Sequence, residues 1–404
     1  MLDSILGFNQ NSFETLPGFG LSRVIFAVPP LPQCEISVVI PVRDEAENLH
    51  STLRAVTRQV DLAGVRLDPR RFEILVLANN CTDNSASVVR QWQSKTSLPP
   101  IHLSEVNLPS AEANCGRARQ IVMEAAFLRL KKLGRKRGVI ASTDGDTRVA
   151  SDWVAATLLE INRGADAVSG RIMIEPDELT ALDKKTRLYH LRDVYYRHLV
   201  AELESYLAPV SFDPRPRHHQ HFNASFAVTV EAFERAGGVP AVKYLEDFAF
   251  YNSLLRIDAR FRHSPQVRVF TSARQHGRTT CGLSTQLTEW NRMSEGSEFY
   301  FVESLDELET SFGSFHQLGQ FWRQMKAEKS FDSEKFHRLA ESLCIGKSWL
   351  KTEMFISKTF GRLRQTVERK QRENGIWRAR YSLVSVEEAI TSLRLRLEVL
   401  RRSN

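Results

Sequence analysis

The first part of the chain alternates short apolar runs with stretches in which apolar residues recur every three or four positions. "ISVVIPV" (Ile36 to Val42) is too short for a buried helix and rich in β-branched residues, so it predicts a strand. It leads into "AENLHSTLRAVTRQV", where Leu49, Leu53 and Val56 share one helical face. "FEILVLANN" (Phe72 to Asn80) predicts a second strand, and "TDNSASVVRQWQ" a helix with Thr82 or Asp83 as its N-cap. "IHLSEV" (Ile101 to Val106) precedes the long helix "GRARQIVMEAAFLRLKKLG", ended by Gly134. "GVIASTD" (Gly138 to Asp144) and "ADAVSGRIMI" frame the helix "SDWVAATLLEI", for which Asp152 is the expected cap. Strands alternating with helices imply parallel β-α-β units and a three-layer α/β domain.

Beyond about Pro176 the pattern changes. A long helical stretch, "ELTALDKKTRLYHLRDVYYRHLVAELESYLAPV", is followed by the Pro- and His-rich loop "SFDPRPRHHQHFN". A compact segment returns with "ASFAVTVEAFERAGGVPAVKYLEDFAFYNSLLRI", which predicts a strand, a helix, a Gly-Gly turn and a second helix from Glu246. "QVRVFTSARQHGRTT" reads as a last strand running into a loop. The remainder is helical, closing on "VEEAITSLRLRLEVLRRSN" with Ile390, Leu393, Leu397 and Leu400 along one face. These shifts divide the chain into an α/β domain over 1–282, with halves at 36–175 and 176–282, and a helical extension over 283–404.

Length and composition narrow the class. At 404 residues and 42% apolar content the chain can bury a full core. It has no 18-residue apolar stretch and no secretory pattern at its start, so the expected address is the cytoplasm. The five cysteines form no C-x-x-C pair and read as reduced thiols. The net charge of +7 belongs to the end of the chain. From Arg323 onward there are 19 Lys and Arg against 10 Asp and Glu, leaving 36 against 38 before it. Packing of these basic helices on the α/β domain is the first expectation, peripheral contact with the inner face of a membrane the second, and nucleic acid is not expected.

In an open α/β sheet, ligands bind beyond the carboxyl ends of the strands. Residues just after the strands here include Asn79 and Asn80, Arg117 and Arg119, and the pair Asp144 and Asp146 in "TDGDT". Amides, guanidiniums and carboxylates together suit a base, a ribose and a metal-bound diphosphate. Mg²⁺ or Mn²⁺ takes hard oxygen ligands, typically one or two carboxylates plus phosphate oxygens. An isolated D-G-D is commonly a solvated turn, but this one follows an apolar strand and precedes a helix, where the topology places a ligand. Gly145 is expected to let the backbone turn so that both carboxylates face the crevice.

In order and spacing, "SVVIPVRDEAENL", "FEILVLANNCTDNSA", "GRARQIVMEAA", "IASTDGDTRVASDWV", "FNASFAVTVEAFERAGGV" and "LEDFAFYNSLL" resemble the family 2 glycosyltransferases of GT-A fold, over Ile36 to about Gly282. The resemblance implies a nucleotide-diphosphate sugar donor, a divalent metal and transfer to an acceptor hydroxyl on a glycan, lipid or small molecule. Pro41, Val42, Arg43 and Glu45 match the loop that wraps the base. Asn79 stands where the family usually has an acid, and Arg119 matches a basic position near the nucleotide. The D-x-D match gives Asp146 the direct metal contact and Asp144 a ribose or metal-water role. Asp247 matches the general base of inverting members, with Glu246 supporting it; the same pair could simply complement a helix N-terminus. His276, with Arg274 and Arg278, is either a further metal or diphosphate contact or part of a basic surface loop. The three histidines of "RHHQHF" lack partners at metal-ligand spacing and predict a loop lining the acceptor pocket rather than zinc. Asn223 and Ser225 depart from the G-x-N that the family often carries there. The Q-x-x-R-W signature of processive synthases is missing, so transfer of a single sugar is expected.

Two other readings use the same residues. A sugar-1-phosphate nucleotidyltransferase would open with a Gly-rich loop and a catalytic Lys, where this chain has "PVRDEAEN". A non-catalytic nucleotide-sugar-binding scaffold would have no need of both D-G-D and the Glu246–Asp247 pair.

Overall fold

The computed structural model describes residues 26–95, 97–274, 282–296 and 300–403. Eight strands form one sheet: β1 (Ile36–Val42), β2 (Phe72–Asn79), β3 (Ile101–Val106), β4 (Val139–Ser142), β5 (Thr147–Val149), β6 (Ala167–Ile174), β7 (Phe226–Thr229) and β8 (Phe261–Thr271). Their spatial order is β3-β2-β1-β4-β7-β6-β8-β5. The nucleotide-side half, β3-β2-β1-β4, is parallel throughout, as its sequence pattern predicts. The other half departs from the parallel β-α-β pattern of the first. β7 runs antiparallel between β4 and β6, and β5 runs antiparallel beside β8. β5 and β7 are too short, at three and four residues, to announce their direction by periodicity.

Helices cover both faces. On one lie α1 (Ala46–Thr57), α2 (Ser85–Gln93) and, after β5, the helix Trp153–Asn162. They enclose a core of Leu49, Leu53, Val89, Trp92 and Trp153 against Ile36, Val38, Ile40, Ile74 and Val76. On the other face α3 (Cys115–Lys132) packs Ile121, Val122 and Met123 against Val39, Leu75 and Leu77. Successive residues of β1 and β2 therefore enter opposite cores, which is why both strands read as unbroken apolar runs. Numbering α4 as Trp153–Asn162, the chain continues with α5 (Pro176–Ala181), α6 (Lys184–Leu207), α7 (Val230–Ala236) and α8 (Glu246–Arg256).

After β8 come α9 (Leu283–Gly296), α10 (Leu305–Lys326), α11 (Ser333–Ser342), α12 (Lys347–Ile356), α13 (Phe360–Asn374), α14 (Ile376–Arg380) and α15 (Val386–Arg402), with a small ladder of β9 (Phe301–Val302) and β10 (Val384–Ser385). α15 buries Leu393 and Leu397 completely, the centre of its apolar stripe. They join Tyr196, Leu199 and Leu203 of α6 in a third core. A fourth core, with Phe315, Leu318, Phe336, Leu350 and Leu363, ties α10 to α13. α13 in turn docks on α8. A Cβ on Gly361 would overlap the Leu255 carbonyl, so only glycine lets the two backbones approach this closely. Asp258 accepts hydrogen bonds from the Phe360 and Gly361 amides at 2.9 and 2.7 Å, capping the start of α13. No helix among the described residues is long and apolar enough to cross a membrane.

Candidate active site

The carboxyl ends of the parallel strands open onto a cavity of about 2470 Å³. Pro41, Val42, Arg43 and Glu45 line it after β1, Asn79 at the end of β2, and Asp144, Gly145 and Asp146 after β4. Gly145 has a negative φ, which corrects the reason expected for it. A Cβ there would come within 3.1 Å of Glu45 Cγ, so glycine permits the D-G-D turn to press against the loop after β1. The Thr52 hydroxyl donates to the Gly145 carbonyl at 2.9 Å and holds that turn.

Arg119, from the first turns of α3, lies almost wholly buried beneath this turn. It donates from Nη2 to Asp144 Oδ1 at 2.6 Å, from Nη1 to Ser142 Oγ at 2.5 Å and from Nε to Glu246 Oε1 at 3.3 Å. Burial opposes its charge, but Asp144, Cys115 and Glu246 hold the guanidinium protonated, above its ordinary range. One side chain thus couples the acid after β4 to the acid pair opening α8, about a hundred residues later. Asn223 Nδ2 also donates to Glu246 Oε1 at 3.3 Å. Beside it, Asp247 faces the cavity. Burial, and then the charge of Glu246, push its carboxyl up to about 7, where it can hold or release a proton near neutrality.

Asp146 is placed by strand pairing. β5 pairs with β8 so that Thr147 opposes Thr271. Asp146, just before β5, and Arg274, just after β8, therefore emerge side by side. Arg274 Nη2 lies 3.0 Å from Asp146 Oδ2, and the same guanidinium forms a two-pronged pair with Glu45 at 2.8 and 3.0 Å. Burial, with Asp144 next to it, raises the Asp146 carboxyl to about 6. Glu45 and Asp146 thus share the Arg274 guanidinium, with Asp144, held by Arg119, next to them, a cluster of carboxylates that favours a further cation. The oxygen-only donor set fits Mg²⁺ or Mn²⁺. Two buried amide oxygens of the cavity wall, Asn79 Oδ1 and Asn223 Oδ1, have no hydrogen-bond partner among the described residues, which fits a polar ligand at this wall.

Several sequence expectations are corrected. Asn80 is spent on structure: its amide exchanges hydrogen bonds with the Leu108 backbone at 3.0 Å each way. Arg117 points to Glu112 and Gln120 and does not line the cavity. Asn84 is the N-cap of α2, where Thr82 or Asp83 was expected; Asp83 instead accepts from the Ser85 and Ala46 amides. Asp152 does stand at the N-cap of α4, but its carboxylate makes no capping hydrogen bond and faces Arg268 at 3.4 Å. His276 and Arg278 lie outside the described residues. Among the described residues, Asp44, Cys81 and Asp83 lie close enough to hold a metal, but Asp44 Oδ1 already accepts from Thr82 and Asp83.

The histidine-rich loop lines the far part of the cavity through His219 and His221. His221 stacks on Tyr251 with ring centroids 4.1 Å apart, and burial holds its imidazole neutral, down to about 3. His218 is turned inward and bonds the Ser169 and Ser264 carbonyls. Tyr251 and Arg217 were missed from the sequence. The signal for Tyr251 was its place one helical turn beyond Asp247.

The family described as Glycosyl transferase family 2 matches residues 37–216. No curated protein matches the sequence. Among solved structures, a mannosyltransferase from Pyrobaculum calidifontis in complex with GDP-Man and Mn²⁺ is similar at 14% identity, with 87% of this chain and 79% of that one covered and a TM-score of 0.42. S. aureus TarS in complex with UDP gives 11%, 84%, 92% and 0.42 by the same measures. Glucosyl-3-phosphoglycerate synthase from Mycobacterium tuberculosis, with Mn²⁺, UDP-glucose and glycerol 3-phosphate, gives 14%, 67%, 84% and 0.34. Over residues 37–216 the chain thus resembles Glycosyl transferase family 2, and the three-layer sheet with the D-G-D turn at the end of β4 accords with that match.

Proposed function

We propose that this protein is a family 2 glycosyltransferase of GT-A fold that moves one sugar from a nucleotide-diphosphate donor to an acceptor hydroxyl, with inversion at the anomeric carbon and dependence on Mn²⁺ or Mg²⁺. The observation that carries the reading is the convergence of Asp144 and Asp146 with Glu246 and Asp247 in one cavity, joined through Arg119. Pro41, Val42, Arg43 and Asn79 provide the surface for the base, and the partnerless Asn79 oxygen accepts from a base edge. Asp146, with Asp144, would hold the metal, which when bound supplies positive charge to the donor diphosphate. Arg274 adds a second cation at the same place.

Asp247 accepts the proton of the acceptor hydroxyl as its oxygen bonds to the anomeric carbon, while the bond from that carbon to the diphosphate oxygen breaks and the nucleoside diphosphate leaves. A carboxyl whose affinity for protons is raised toward neutrality is a stronger base than an ordinary aspartate. Glu246, fixed by Arg119 and Asn223, positions the start of α8 and keeps Asp247 basic. Cys34, Cys81, Cys115 and Cys344 are unpaired thiols, in keeping with a cytoplasmic setting.

The test is hydrolysis and transfer from a panel of nucleotide sugars with Mn²⁺, against Asp146→Asn. Turnover of at least one donor, lost with chelator and in the variant, supports the reading. Turnover that survives both, or binding of no donor, contradicts it.

A further inference from the structure

The cavity does not end at Asp247. It continues between α8 and the C-terminal helices, where Arg323, Arg362, Arg369 and Arg372 face it. Arg362, Arg369 and Arg372 recur at seven and three residues along α13, so they form one stripe roughly 15 Å long. The opposite face of that helix is anchored by Leu363 and Val367 in the fourth core. The acids of this wall are already engaged: Glu368 with Arg364 at 2.9 Å, and Glu307 with Arg378 at 3.0 Å and the Trp377 indole at 2.9 Å. Among the described residues the Arg323, Arg362 and Arg372 side chains have no ion pair, and Arg369 comes only within 3.8 Å of Glu373. A solvated helix face ordinarily interleaves its charges. In this stripe Arg362 and Arg372 are left unmatched among the described residues, turned toward the void that holds Asp247.

The stripe is also fixed relative to that base. Gln365 Nε2 donates to the Asn252 carbonyl at 2.7 Å, and Arg256 Nε donates to Gln365 Oε1 at 3.0 Å. Asn252 lies five residues along α8 from Asp247, roughly 8 Å by helical rise. An acceptor reaching from Asp247 to the arginines is therefore longer than one sugar, and it meets guanidiniums that match phosphate oxygens in a two-pronged fit.

We propose that Arg362, Arg369 and Arg372, with Arg323, form the subsite for an extended acceptor carrying several phosphate groups, whose hydroxyl is presented to Asp247 at the other end of the same cavity. The proposal rests on the sugar-transfer reading above, but its test needs no transfer chemistry, so the two can fail separately. Long-chain inorganic polyphosphate is titrated by calorimetry into the metal-free protein, where the acidic donor site repels it, with orthophosphate as the single-phosphate comparison.

The expected result is that polyphosphate binds more tightly per molecule than orthophosphate. The triple variant Arg362→Gln, Arg369→Gln, Arg372→Gln should bind it about tenfold more weakly, since exposed ion pairs contribute a factor of a few each. The triple variant with lysine at the same positions should retain most of the binding, which separates charge from misfolding. Phosphatidylglycerol vesicles form the second arm. Sedimentation with wild type and not with the glutamine variant places the phosphates on a lipid, whereas polyphosphate binding without sedimentation places them on a soluble acceptor. Polyphosphate that fails to bind, or binds the glutamine variant as tightly as wild type, overturns the proposal.

Discussion

Arg119 Nη2 lies 2.6 Å from Asp144 Oδ1, and through this contact the turn after β4 is fixed to the acid pair at the start of α8. Because the guanidinium is almost fully buried between two carboxylates, removing it strands both. Arg119→Met should cost roughly 3 kcal/mol or more of stability, the usual scale for breaking a buried pair by deleting one partner. A melting temperature within a degree or two of wild type would show that the acids find other partners. Arg119→Lys should fall between, since an ammonium cannot span Ser142, Asp144 and Glu246 at once.

Arg274 serves Asp146 and Glu45 as a protein cation. In Arg274→Ala the carboxylates keep their mutual repulsion and lose its relief. Mn²⁺ binding without nucleotide, followed by the electron paramagnetic signal of free Mn²⁺, should tighten by roughly tenfold. Donor affinity should fall in the same variant, because the diphosphate loses a guanidinium. Weaker Mn²⁺ binding in the variant would place the metal elsewhere.

The pH dependence follows from Asp247, whose carboxyl is raised to about 7 chiefly by burial. A base must be deprotonated, so kcat/KM should rise about tenfold per pH unit below that value and level off above it. The linkage to stability has the opposite sense. Asp247 binds a proton more tightly folded than unfolded, so its contribution is greatest at low pH and is lost as pH rises through about 7. The difference in stability between wild type and Asp247→Asn should change across that interval and be flat above it. A rate profile without an acidic limb would remove Asp247 from the role of base.

Gly361 tests the attachment of the C-terminal helices. Gly361→Ala drives a methyl group into the Leu255 carbonyl and should destabilise by roughly 1–3 kcal/mol, as overpacking does. Thermal unfolding measures it. An unchanged midpoint would mean that α13 is free to shift on α8.

The nucleotide half of the fold was legible because its strands are buried on both faces and its helices carry clear apolar stripes. Ile36 to Val42 and Leu49, Leu53 and Val56 could be assigned from composition and spacing alone. The D-G-D turn was legible as a site because it ends such a strand. The direction of β7 and the pairing of β5 with β8 were not, since both strands are shorter than their periodicity can reveal. That pairing is what brings Arg274 to Asp146 across more than a hundred residues. The same limit hid the bridge that Arg119 makes: the residue was legible as a site candidate, but its partners Asp144 and Glu246 meet only in three dimensions. The arginine stripe of α13 read as one more solvated basic face, because nothing local says which way a helix turns its charges.

Inverting transfer with Asp247 as the base is read out by proton NMR of the product formed in the first turnovers from an α-linked nucleotide sugar. Wild type should give a β-configured product. Asp247→Asn should lower the rate by about 10²–10⁴, the range general-base catalysis supplies, with nucleotide binding retained. An α-configured product, or a variant as fast as wild type, would contradict it.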